Sequence, residues 1–384
     1  MKINKSLFEI IDSLSAEYVG HWAAFSSVES PTDYKKGVDD ASAYICGIAE
    51  KHGWKIERAP MEKSGDAFCI TMNPDAPGKP VALSGHIDTV HPVGIFGYPP
   101  VKIEGDKIYG PGVDDCKGGV IAGLLAMDAL EHAGFTDRPV MMLLQTDEET
   151  SSLGSGKATI HYICEKARDA AAFLNLEGYN RGKATLFRKG ISKYEFRVTG
   201  KGLHAANCYK GISAIAEAAY KILELEKQKD PSGITCSCGT ITGGTATNSV
   251  PDSCTFTVDV RFSNEEEMRI SDEIIYSAAA HSFIEGSSCA VTLLSRRISM
   301  PVVDRNMELF GKINGIFEAY GLETLAVNGS KGGSDAADVT AFGIPCIDSL
   351  GTVGQGIHST RECAEIPSLA ESAKRLAAIV FSLD

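Results

Sequence analysis

The 384-residue chain has no C-x-x-C pair, no block of basic residues and no apolar run near the roughly 20 residues that a membrane-spanning helix needs. Each absence removes a class of protein. Eleven cysteines, an odd number of which only Cys236 and Cys238 lie close together, make neither a disulfide framework nor zinc-finger spacing. They read instead as small buried hydrophobes of a reducing compartment, which points to the cytoplasm. A net charge of −13 with no basic stretch against it argues against nucleic acid and against an anionic membrane as partners. There is no G-x-S-x-G nucleophile elbow, and Gly156-Lys157 is not preceded by the glycine that a phosphate-binding loop requires. Internal repeats and low-complexity tracts are absent too. Near the N-terminus, L-F-E-I-I-D-S-L is broken by acids at helical spacing and no small-residue cleavage site follows, so it reads as an amphipathic helix of the mature protein rather than a signal peptide.

What is there is an ordinary globular composition, 43% apolar and 23% charged, on a chain long enough for two domains. Apolar residues at three- and four-residue spacing predict helices over residues 5–25 and 34–52. Strands follow at 67–72 and from Pro80, then a Gly- and Pro-rich loop H-P-V-G-I-F-G-Y-P-P, a strongly apolar helix at 120–133, and buried strands at 139–144 and 171–176. Helix and strand alternate, the pattern of an α/β fold with parallel strands. The middle of the chain changes to β (192–199), α (212–227), β (235–242), β (255–262), α (265–283), β (290–295), the βαββαβ plan of a ferredoxin-like sandwich. The α/β pattern resumes after Pro301, with helices from 307 to 320, from 336 and from 368 to 383, and a buried strand at 345–350. A catalytic domain at residues 1–187 and 298–384 is therefore expected to be interrupted by an inserted domain at 188–297.

The chemistry gathers at strand ends. In V-A-L-S-G-H-I-D-T-V, residues 81–90, an apolar strand runs into His86 and Asp88, which share a face in extended backbone. Asp88 can take one ring N–H of His86 and leave the other nitrogen for a metal. Asp115 lies in G-P-G-V-D-D-C-K-G-G, Glu148 and Glu149 follow a buried strand in T-D-E-E-T, and Glu177 follows another in L-E-G. Ligand sites of open α/β sheets lie outside such strand ends. His358, in G-T-V-G-Q-G-I-H-S-T, completes a mixed imidazole and carboxylate set suited to two divalent ions. Two metals about 4 Å apart need a bridging carboxylate, for which Asp115 is the best placed. One ion would take His86 and Glu177, the other Glu149 and His358, leaving Glu148 outside both sets as general base and then general acid. Asp114 reads as a turn residue. His21, His52, His132, His161 and His281 read as surface or satisfied histidines, and His91 stays a minor candidate.

The ordered set S-G-H-I-D-T-V, G-P-G-V-D-D-C-K-G-G, T-D-E-E-T and L-E-G resembles the signature of the dinuclear zinc exopeptidase and amidohydrolase family, which includes glutamate carboxypeptidase, succinyl-diaminopimelate desuccinylase, acetylornithine deacetylase and aminoacylase. The resemblance runs over essentially the whole chain. It implies an α/β catalytic domain with a mixed, mostly parallel sheet and a ferredoxin-like lid and dimerisation domain. It also implies two zinc ions, with cobalt or manganese as alternatives, and a homodimer. By the family pattern His86, Asp115 and Glu177 hold one ion, Asp115, Glu149 and His358 the other, with Glu148 as base and Asp88 orienting His86. The resemblance adds His204, in G-K-G-L-H-A-A, as the residue that stabilises the oxyanion and in dimeric members reaches the other subunit. Asn248, in G-G-T-A-T-N-S-V-P-D, and Arg261, in D-V-R-F, match residues that bind the substrate carboxylate. Gly333 and Ser334, in G-G-S-D-A-A, match a pocket-lining loop. Cys116 departs from the family, where the residue after the bridging Asp is often Asp or Met.

The implied reaction is hydrolysis of an amide bond next to a free carboxylate, in a small peptide or an N-acyl amino acid, with the glutamate carboxypeptidase-like branch the nearest match. An N-acyl amino acid deacylase, a mononuclear aminopeptidase and a metal-binding scaffold without activity are the alternatives.

Overall fold

The computed structural model describes residues 5–384. Residues 1–4, where the first domain is expected to begin, lie outside the described residues. Contacts divide the chain into two units. The first holds everything described up to Leu186, Val302–Gly329 and Asp338–Asp384; the second holds Phe187–Pro301 and Ser330–Ala337.

The first unit is built on a six-stranded mixed sheet. Its strands run in the order Lys55–Ala59, Ala67–Met72, Val140–Gln145, Val81–His86, Ala172–Asn175 and Cys346–Ile347. The first two pairings are antiparallel and the remaining three parallel. The central strands Val81–His86 and Val140–Gln145 are buried at every position, which is why they read as continuous apolar runs rather than alternating ones. Beside the sheet, helix Lys117–His132 packs with helices Lys5–Ser26 and Pro367–Ser382. That helix is buried nearly all round, as the apolar run from Val120 to Met127 requires. Gly119 lets it approach the parallel strands: a Cβ there would lie 2.0 Å from the carbonyl oxygen of Leu176.

The expected buried strand at 345–350 shrinks to Cys346–Ile347. The following residues turn away as Ser349 takes a positive φ of 66°, and the Asp348 side chain accepts from the backbone N–H of Ser349, the kind of local polar contact that competes with a sheet ladder. A helix at Ala158–Lys166 and an edge strand at Lys55–Ala59 were not expected from the sequence.

In the second unit four antiparallel strands run in the order Thr235–Gly243, Ser253–Phe262, Gly190–Thr199 and Ser288–Arg297. Helices Ala214–Leu225 and Glu265–Ala280 complete the βαββαβ succession. The two central strands alternate buried and less buried positions, so Tyr194, Phe196 and Val198 join Phe256, Val258 and Val260 on one face of the sheet in one core. Phe196 and Phe256 stack with ring centres 4.7 Å apart. Each helix starts on a side-chain cap, Ser213 accepting from Ala216 N–H and Asn264 from Glu267 N–H. The second helix ends at Ala280, three residues before the expected Phe283. There the chain turns so that Glu217 accepts the N–H groups of Phe283 and Ile284 while Lys221 donates to the carbonyl of Ala278. Among the described residues no helix is long and apolar enough to cross a membrane.

Candidate metal centre

Four of the strand-end groups and His358 converge in the first unit. His86, the last residue of its strand, points Nε2 to within 3.0 Å of Asp115 Oδ1 and 3.9 Å of Glu177 Oε1. His358 Nε2 lies 3.1 Å from the other oxygen of Asp115, Oδ2, and 3.3 Å from Glu149 Oε2. Asp115 thus presents one oxygen to each imidazole, and the two groupings, His86 with Glu177 and His358 with Glu149, are the ones expected from the sequence. Ligand atoms of His86, Asp115 and Glu149 all fall within 4.8 Å of one another. Two imidazoles and two carboxylates around one shared carboxylate fit a pair of divalent ions of the zinc, cobalt or manganese type.

The protonation pattern reports the same crowding. Asp115 is held far below the ordinary carboxylate range: burial would raise it, but hydrogen bonds to His358 and His86 outweigh burial. Glu149 goes the other way, pushed up to about 7 by burial against the hydrogen bond to His358. His358 rises to about 10 through its bonds to Asp115 and Glu149. His86 is raised well above its usual value although burial opposes this, because Cys116, Asp115 and Asp88 favour its protonated form. Charges of this density are those a divalent cation relieves.

Asp88 departs from its expected contact. His86 Nδ1 meets the backbone carbonyl of Asp88 at 3.0 Å, while the carboxylate oxygen is 3.5 Å away. The buried carboxylate instead accepts the backbone N–H groups of Glu148 and Glu149, each at 3.2 Å, and the hydroxyl of Thr32 at 2.7 Å. A carbonyl serves as well as a carboxylate to fix the ring tautomer. The spacing correctly puts both residues on one side; it cannot distinguish main-chain from side-chain acceptor. Glu148 and Glu149 sit in a single 3-10 turn, Glu148 buried.

Cys116 is buried, its sulfur 3.2 Å from the backbone N–H of His86, and the Asp115–Cys116 peptide is cis. Asp114 is no simple turn residue: its buried carboxyl is raised well above the ordinary range by burial and by the nearby charges of Glu362 and Asp115. His91 does not point at the centre, as Nε2 pairs with Glu362 at 2.8 Å. Glu362 itself is a buried carboxylate that sequence reasoning missed. Its contacts reach back some 250 positions, and no local pattern signals them. His52, Asp128 and Glu131 also converge, but there His52 pairs with Glu131 at 2.7 Å and His132 with Asp128 at 2.7 Å, so these histidines are satisfied by neighbouring acids as expected.

The remaining expected site residues lie in the second unit. His204 pairs with Ser249 in a short ladder, just beyond which the N–H of Ala205 donates to the carbonyl of Asn248 at 2.8 Å, and His204 Nδ1 accepts from Ala206 N–H. Arg261 is held by Asp259 through Nε and Nη2 and donates through Nη1 to the carbonyl of Lys331. It lines an open cleft of about 480 Å³ with Lys189, Lys229, Thr235 and Lys331. Next to it, Arg188 donates to the carbonyls of Gly332 and Gly333, which fixes the loop that carries Ser334.

A mixed sheet with His86, Glu149, Glu177 and His358 gathered around Asp115, a donor set able to hold metal ions, and a further buried glutamate in the same turn as Glu149 fit a metal-dependent hydrolase of peptide and amide bonds. The family model described as peptidase family M20/M25/M40 matches residues 82–382, and the chain belongs to that family. It is similar to carboxypeptidase G2 of Pseudomonas sp. (strain RS-16), at 30% identity over 78% of this chain and 72% of that one. It is also similar to the acetylornithine deacetylase of Pasteurella multocida, at 28% identity over 54% of this chain and 57% of that one. Among solved structures, a tripeptidase from Staphylococcus aureus superposes with a TM-score of 0.80 at 20% identity, covering 95% of this chain and 97% of that one.

Proposed function

We propose that the chain is a dizinc exopeptidase that hydrolyses the amide bond next to a free carboxylate of a small peptide. The observation that carries this reading is Asp115, whose two oxygens face different imidazoles at 3.0 and 3.1 Å. Two zinc ions in this cradle supply Lewis acidity at the scissile carbonyl and make the attacking water more acidic. His86, Asp115 and Glu177 would hold one ion; Asp115, Glu149 and His358 the other.

The chain's own groups do the rest. Glu148 takes the proton of the attacking water and passes it to the departing nitrogen, a double role that suits a buried carboxylate outside both ligand sets. Asp88 keeps Glu148 and Glu149 in register by holding both of their N–H groups. His204 donates to the oxyanion as it develops. Arg261, with Asn248, binds the substrate carboxylate through charge-assisted hydrogen bonds, and Gly333 and Ser334 line the pocket. The first unit is then the catalytic domain, and the second the lid and dimerisation domain of a cytoplasmic homodimer. The similarity to carboxypeptidase G2 supports cleavage at a carboxyl terminus.

A panel of dipeptides and N-acyl amino acids, each with a free and an amidated carboxylate, tests the reading together with zinc analysis. Two zinc ions per chain and turnover of the free acids alone are expected. Preference for N-acyl amino acids over dipeptides would favour a deacylase, which the similarity to acetylornithine deacetylase supports. Bound zinc without turnover on any substrate would leave a metal-binding scaffold.

A further inference from the structure

We infer that Glu362 is a positioning residue that holds the bridging carboxylate in place and, through His91, sets three ligand-bearing segments in one register. The inference rests on the dinuclear reading above.

Glu362 is a fully buried carboxylate, 1% exposed, and its oxygens are shared out completely. Oε1 accepts the backbone N–H of Asp114 at 3.0 Å and of Asp115 at 3.1 Å; Oε2 accepts the N–H of Gly112 at 3.1 Å and faces His91 Nε2 at 2.8 Å. Three N–H groups from four consecutive residues converging on one point form the kind of concavity that ordinarily captures an external anion. Here the chain fills it with its own carboxylate. Gly112 makes the concavity, since its φ of +70° turns its N–H to the same side as those that follow.

The main chain of Glu362 is tied as well. Its N–H donates to the carbonyl of Ser359 at 3.0 Å, beside His358, and its carbonyl accepts from Gly110 N–H at 3.3 Å. His91, 7% exposed, begins the loop after His86 and Asp88, and its ring meets Phe96 edge-on at 4.9 Å. Segments bearing His86, Asp115 and His358 therefore meet at one side chain. None of them is regular structure at that point, so the hydrogen bonds to Glu362 add to the hold of helix Lys117–His132, which begins two residues after Asp115.

The isosteric amide tests this because it cannot reproduce the pattern. In Glu362→Gln one oxygen becomes an NH2 donor. Facing Asp114 and Asp115 it meets two N–H donors; facing Gly112 it meets one, even if His91 changes tautomer. At least one buried N–H of the loop loses its acceptor in either orientation.

The experiment measures zinc affinity of the metal-free protein by competition with a chelator, and the visible spectrum of the cobalt-loaded protein. Glu362→Gln is expected to lose about 10- to 100-fold in affinity and to alter the cobalt bands. His91→Gln, whose amide can still donate to Glu362, is expected to stay near wild type, while His91→Ala weakens binding. Wild-type affinity and an unchanged cobalt spectrum in Glu362→Gln would overturn the inference and leave the dinuclear reading intact. If that variant does not fold, the two His91 variants decide: equal affinity in both and in wild type overturns it. Wild-type protein that binds neither ion overturns the dinuclear reading, and the inference with it.

Discussion

Asp88 Oδ1 accepts the backbone N–H of Glu148 at 3.2 Å, so a carboxylate 3.5 Å from His86 Nδ1 also anchors the turn that carries the proposed base. Its other oxygen does the same for Glu149. Asp88→Ala should therefore do two things: weaken metal affinity by about 10- to 100-fold and depress kcat even when metal is saturating. Metal titration followed by kinetics at excess zinc separates the two. Full recovery of kcat at excess zinc would show that Asp88 acts on the metal alone.

Glu148→Gln should keep both metals and lose hydrolysis by at least about 10²- to 10⁴-fold, because the amide cannot accept the water's proton. Zinc content and kcat on the same preparation check this. A variant with near wild-type kcat would remove Glu148 from the reaction.

Metal uptake should release protons. In the metal-free protein His358 is raised to about 10 by Asp115 and Glu149 and so carries a proton at neutral pH, while His86 is shifted toward its protonated form despite its burial. Glu149, at about 7 through burial, is partly protonated too. Each must give up its proton to become a ligand, and roughly two to three protons should leave per chain near pH 7. Affinity then rises as pH increases through neutrality and falls on acidification. Calorimetry in buffers of different ionisation heat reads the proton count; a binding heat independent of the buffer would contradict it.

Arg261→Ala should raise KM about 10- to 100-fold with a smaller change in kcat, the signature of a lost charged hydrogen bond to a part of the substrate that does not react. Steady-state kinetics on a free-acid substrate checks this, and an unchanged KM would remove Arg261 from carboxylate binding.

Acid stability should depend on Asp66. Burial would raise its carboxyl, but Lys35 at 2.8 Å, the N–H of Met61 at 2.8 Å and Arg58 bring it below the ordinary value. A carboxyl depressed in the folded state contributes stability above its unfolded pKa and loses it as pH falls through the folded value. Asp66→Asn should cost about 1–3 kcal/mol at pH 7 and distinctly less at pH 3. Urea unfolding at both values measures the difference, and an equal cost at the two would refute the assignment.

The proposed ligands were legible because each obeys a local rule. His86, Glu149 and Glu177 follow apolar runs that could only be strands, and Asp115 lies between glycines, so residue type and position agreed before any coordinate was known. The βαββαβ succession was legible for the same reason, in the alternation of residues 192–199 and 255–262. What the sequence hid was set by distance along the chain. Nothing near Glu362 betrays the loop at Gly112 to Asp115, and nothing in H-I-D says whether a carbonyl or a carboxylate will reach the imidazole. Asp114 read as a turn residue because a run of glycine and acid looks the same whether it is solvated or enclosed. His204, Asn248 and Arg261 were reached only through family resemblance: a histidine in a short ladder or an arginine on a strand has no spacing that marks it.

The five proposed ligands come from separate stretches of the first unit, the last of them, His358, from beyond the segments that form the second unit. Metal in that cradle would act as a cross-link, closing a long excursion of the chain whose ends must otherwise be brought together by packing alone. Loop closure costs entropy that grows with the logarithm of loop length, and a clip across a long loop restricts the unfolded chain most. A chelator should accordingly do more than stop hydrolysis: it should lower the melting temperature of the first unit, by an amount that increases with the metal concentration from which it was withdrawn.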